Sequence, residues 1–157
     1  MIVNNIKLSL VLFVLLIIQF ITNNVSSYYV DLIGMLLIFL TLYGSYNFLY
    51  IIGISMVADL FGYWYIGEHL IAIVILSFIA TKISRLFSIC NWIQKLIVIE
   101  SFFCVMSLII FAINKIFNAH LYYLWSFLIQ IFIFIPILQI IYEKFILTKR
   151  SDILWYD

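Results

Sequence analysis

The chain has little charge, glycine, proline or cysteine, and each shortage removes a class of protein. Asp, Glu, Lys and Arg make up 10% of its 157 residues and hydrophobic residues 68%. Soluble domains carry about a quarter charged and about half apolar residues, so a water-soluble fold is excluded. Eight basic and seven acidic residues leave a net charge of +1 with no block of either sign. There is no electrostatic footprint for nucleic acid, which is not an expected partner. The five glycines are scattered and build no phosphate-binding loop, and neither G-x-S-x-G nor H-E-x-x-H occurs. No catalytic residue, cofactor or enzymatic activity is expected. The two cysteines, Cys90 and Cys104, lack C-x-x-C spacing; one falls in a basic loop and the other in an apolar run. Both read as reduced and structural.

What the chain does have is apolar runs of membrane-crossing length. A span needs about 20 mostly apolar residues, so the length holds one domain of six or seven helices at most. Runs such as Leu8 to Ile18 and Ile131 to Ile141 lack the alternation of a membrane β-strand. Apolar runs read against their polar breaks predict an all-α integral membrane protein: a compact bundle of six transmembrane helices near residues 4–22, 28–44, 47–63, 67–85, 92–114 and 120–144. Lys7 followed by Leu8 to Ile21 imitates a signal peptide, but the residues after it do not form an A-x-A-like cleavage site. The first run is read as an uncleaved span. Pro136 should bend the sixth helix.

Charge sets the expected orientation. With six spans and a cytoplasmic start, Lys7, Lys82, Arg85, Lys95, Lys144, Lys149 and Arg150 lie inside and Lys115 alone lies outside. Five spans divide the same charges less cleanly. Tyr28, Tyr29, Trp64, Tyr65, Tyr122, Tyr123 and Trp125 would then mark the outer interface, and Tyr43, Tyr46, Trp92, Trp155 and Tyr156 the inner one.

Ionisable groups inside a membrane are costly enough to be functional candidates. They are Asp59 and Glu100 and, nearer the interfaces, Asp31, Glu68 and His69. Asp59 precedes the turn between the third and fourth helices and His69 follows it, so the two should lie at similar depth and can hydrogen-bond. Such a pair holds the hairpin together or relays protons; the structural reading is preferred. Glu100 lies about 12 Å along its helix from Trp92, inside the apolar slab, and must face protein or water. Its expected partners are Gln130 and Gln139. With one local histidine, Asp59, Glu68 and His69 do not suggest a metal site. Ser55, Ala58 and Gly62 offer a small-residue face for close helix approach.

Residues Gly53 to Phe87, GISMVADLFGYWYIGEHLIAIVILSFIATKISRLF, combine a glycine-bearing helix, an Asp-Leu pair, a hydrophobic turn and G-x-H-x-L-A entering a long apolar helix with a basic end. This stretch resembles the signature of the MreD family, with Asp59, Gly67, His69 and Ala72 at the matching positions. Upstream, Val30-Asp31-Leu32 resembles the family's P-(D/N)-L entry to the second span, with Val30 in place of the proline. Glu100 and Cys104 match no part of that pattern.

The resemblance implies a non-enzymatic scaffold of the cell-elongation complex in the bacterial inner membrane. It would bind MreC, a single-span protein, and help couple MreB filaments to RodA and its partner transpeptidase, and so to peptidoglycan synthesis and cell shape. The family's fold is similar to that of the S components of energy-coupling-factor vitamin transporters, which makes a transport subunit the alternative. S components commonly carry A-x-x-x-A in the first helix, whereas Ser9 to Phe20 contains only bulky residues after its serine.

Overall fold

The computed structural model describes residues 5–25, 29–43, 48–61, 67–116 and 124–144. Every regular element among them is helical: α1 (Asn5–Val25), α2 (Leu32–Tyr43), α3 (Phe48–Phe61), α4 (Glu68–Ile89), α5 (Trp92–Ile116), α6 (Leu124–Ile129), a π-helical stretch Gln130–Phe134, and α7 (Ile135–Tyr142). The last three run on as one rod. Three helices, Leu8–Val25, Trp92–Ile116 and Trp125–Tyr142, are long and apolar enough to cross a membrane, and Leu32–Tyr43 and Phe48–Leu60 are shorter apolar helices.

The architecture is organised around α2. Residues Leu32 to Leu40 and Leu42 are all buried, and α2 packs against α1, α3, α4, α5 and α7. A helix apolar on every side is the pattern of a fully buried element. The surrounding helices bury only their inward stripes: Ala72, Ile73, Leu76 and Ala80 on α4, and Ile99, Phe103, Met106 and Ile110 on α5. Their other faces expose large apolar residues such as Phe13, Phe20, Phe78, Leu108 and Phe132. In water such a surface would aggregate; against lipid tails it is matched.

The observed helices overlap the six predicted runs and differ at their ends. α1 reaches Val25 because Thr22 Oγ1 donates to the Ile18 carbonyl at 2.7 Å and Asn24 Nδ2 to the Phe20 carbonyl at 2.7 Å. These side chains satisfy backbone acceptors instead of breaking the helix. Pro136, at the start of α7, follows the π-helical stretch, in which the Ile135 N–H donates to the Gln130 carbonyl five residues back. Widening the turn accommodates the donor that proline lacks. Residues 4, 28, 44, 47, 62–63 and 120–123 of the predicted spans lie outside the described residues. So do Gly62, Lys149, Arg150 and the aromatics Tyr28, Tyr46, Trp64, Tyr65, Tyr122, Tyr123, Trp155 and Tyr156, and the side chains of Lys7 and Arg85.

Candidate functional site

The start of α2 is buried, so its first backbone donors have no water to meet and must find side chains. Asp31 caps the helix: its Oδ1 accepts from the Gly34 N–H at 2.8 Å. α1 supplies Gln19, whose Oε1 accepts from the Ile33 N–H at 3.0 Å, and Asn23, whose Oδ1 accepts from the Val30 N–H at 2.9 Å while its Nδ2 donates to the Val30 carbonyl. From the last rod, Gln130 Oε1 accepts from the Asp31 N–H at 3.0 Å. Gln130 Nε2 and Ser126 Oγ both donate to the Tyr29 carbonyl. Gln130 opens the π-helical stretch, a feature frequent at functional positions.

The remaining Asp31 oxygen, Oδ2, lies 2.9 Å from His69 Nε2. On the other side of the imidazole, Nδ1 lies 2.7 Å from Asp59 Oδ1. The ring therefore bridges two carboxylates carried by different segments, the residue preceding α2 and the end of α3. Asp59 also accepts from the His69 N–H at Oδ1 (3.0 Å) and from the Gly67 N–H at Oδ2 (2.8 Å). One carboxylate thus caps the first turn of α4 and grips its histidine. Asp31, Asp59 and His69 are 3%, 2% and 1% exposed, so the bridge is closed to solvent and lipid.

Two glycines make room for this arrangement. Gly67 has φ 104°, a conformation costing L-residues about 1–2 kcal/mol, and it turns the chain into α4 so that both N–H groups reach Asp59. Gly34 is required by space. A Cβ there would overlap Asp31 Oδ2, and would lie 2.6 Å from Asp31 Cγ and 2.7 Å from Met106 Cε. Without a side chain at 34, the Asp31 carboxylate can fold back over α2 to reach His69.

The structure thus brings Asp31, Asp59, Gly67 and His69 together. Asp31, Glu68 and His69, expected nearer the interfaces, are all buried. Glu68 turns away from the bridge, and its Oε2 accepts from Asn114 Nδ2 on α5 at 3.1 Å. Ala58, Ser55 and Ala72 are fully buried beside the bridge elements, whereas Gly53 meets no close neighbour.

Glu100 stands apart, and its expected partners are corrected. Gln130 is committed to the start of α2, and Gln139 Nε2 donates to the Trp92 carbonyl at 3.2 Å. Glu100 instead lies half-buried on α5, with Cys104 one turn on along the same helix. Cys90 and Cys104 are free thiols.

Chemically, the bridge is a clasp. Both ring nitrogens of His69 are engaged, so neither is left to take a proton from a substrate. The two carboxylates lie on opposite sides of the ring instead of converging on one point, and no group of three potential ligands is placed to hold a metal ion among the described residues. The sequence reasoning located the Asp59–His69 half of the clasp. It missed Gly34, Gln19, Asn23 and Ser126, and it gave Gln130 the wrong partner. The one available signal was the Asp31–Gly34 spacing, an N-cap carboxylate followed three residues later by a residue without a side chain. Comparison with protein-family models, with curated proteins and with solved structures finds no match for this chain.

Proposed function

We propose that this chain is a non-enzymatic scaffold of the bacterial inner membrane, with six spans and cytoplasmic termini, acting in a cell-elongation complex in the manner of the MreD family it resembles. The observation that carries the reading is that Asp31, Asp59, Gly67 and His69, all picked out through the resemblance, are consumed in one internally satisfied clasp. Their work is to hold α2, α3 and α4 in fixed relation, and what remains for function is the apolar outer surface of the helices. Lipid-embedded contacts with an MreC-like single-span protein, with RodA and with its partner transpeptidase would use those faces, with MreB engaged indirectly. The short α2 fits this picture: buried on all sides, it is supported by neighbouring helices and need not match the bilayer on its own.

The test is mass spectrometry of proteins that co-purify in mild detergent with the chain tagged after Asp157. An MreC-like protein recovered with RodA or the transpeptidase is the expected result. Recovery of a coupling subunit with its ATPases overturns the scaffold reading in favour of a vitamin-transport component.

A further inference from the structure

The hydrogen bonds of the clasp fix how many protons it holds. Asp59 accepts backbone N–H groups at both oxygens, and Asp31 Oδ1 accepts from Gly34. Among the described residues, Asp31 Oδ2 is therefore the only carboxylate oxygen in the bridge with no backbone donor, and it faces His69 Nε2 at 2.9 Å. For both ring contacts to be hydrogen bonds, one proton must lie between Nε2 and Oδ2, on either atom, and a second must lie on Nδ1. If the first is removed, the Nε2 lone pair faces a carboxylate oxygen at hydrogen-bond distance, which is repulsive. The Nδ1–Asp59 bond and the two backbone bonds to Asp59 are untouched by that loss.

We propose that the Asp31–His69 contact is a single-proton latch: with the proton, a hydrogen bond ties the start of α2 to the α3–α4 hairpin; without it, that bond is lost and the start of α2 is held less firmly while the hairpin stays whole. The other described groups around the ring leave this proton count unchanged. Glu68, next to His69 in the chain, accepts from Asn114 on α5. α1 offers Gln19 and Asn23 and the last rod offers Ser126 and Gln130, all neutral, and Lys115 on α5 is exposed. The latch stands on the clasp geometry alone and holds whether or not the chain has protein partners.

Because unfolding removes the contacts that hold the proton, stability should fall as pH rises through its release. In detergent, the unfolding midpoint of the wild type is expected to drop by several degrees as pH rises through that release. Asp31→Asn should lose most of that drop, since the asparagine Oδ1 still caps Gly34 and its Nδ2 donates to a neutral Nε2. Glu68→Gln should keep the drop. Equal drops in wild type and Asp31→Asn, or a drop abolished by Glu68→Gln, would overturn the latch.

Ring-nitrogen NMR of ¹⁵N-histidine protein needs no change at the clasp; a His120→Gln variant isolates the His69 signals. The Nε2 signal should shift first, as the proton shared with Asp31 leaves, with Nδ1 remaining protonated. Loss at Nδ1 first, or no change at either nitrogen as pH is raised, rejects the proposal.

Discussion

The two ends of α2 are secured by different chemistry. At its start, backbone donors and two carboxylates are matched by side chains from α1, α4 and the last rod, each bond with its own direction. At its finish, rings do the holding. Tyr43 lies 4.8 Å from Tyr142 and 4.9 Å from Phe87 between centroids, Phe39 stacks on Tyr142 at 5.5 Å, and Lys95 Nζ sits 5.9 Å from the rings of Tyr43 and Phe87. A directed bond also joins this end, from the Tyr43 hydroxyl to Glu143 Oε1 at 2.7 Å. Ring packing tolerates small changes in shape, whereas a buried donor without its acceptor loses its full solvation. The start of α2 should therefore be brittle and the finish forgiving.

The comparison breaks most visibly at Asp59. Asp59→Leu strands the Gly67 and His69 N–H groups and His69 Nδ1, a loss of about 3–5 kcal/mol, as for half of a buried ion pair. Asp59→Asn keeps part of the bonding and should lose about 1–3 kcal/mol. Unfolding midpoints and the monodisperse fraction in detergent separate the two variants, and equal values would mean that direction does not matter at this end.

Next in size, Gly34→Ala should cost about 1–3 kcal/mol as an overpacking change. In an Asp31→Ala background the same substitution should cost far less, because the carboxylate it strikes is gone. A double-mutant cycle that proves additive would show that Gly34 matters for some reason other than room for Asp31.

The smallest effect is expected at the other end. Tyr43→Phe removes the bond to Glu143 and leaves the rings in place, a loss of about 0.6 kcal/mol, typical of polar contacts between membrane helices. A destabilisation larger than that of Gly34→Ala would reverse the ranking of the two ends.

The same divide governs what the sequence made legible. Helices were readable because apolar length is a local signal, and the Asp59–His69 contact because ten residues and one turn separate the pair. Asp31 could be picked out as costly, but its contact with His69 spans 38 residues and depends on α2 packing against α4. No spacing along the chain encodes that. Gln130 lies 99 residues from the donor it serves, and at comparable depth it competed with Glu100 as an equally plausible partner. The end of the first helix was misjudged where Asn23 and Asn24, polar and so read as a break, continue α1, with Asn24 bonding back onto it.

The burial of α2 also bears on the order of assembly in the membrane. During synthesis α2 is made early, yet the Asp31 N–H and the Tyr29 carbonyl find their partners on Ser126 and Gln130. Until the last rod has been inserted, the start of α2 lacks the bonds that Ser126 and Gln130 supply. A chain halted before residue 126 is therefore a bundle whose central helix still lacks part of its polar support.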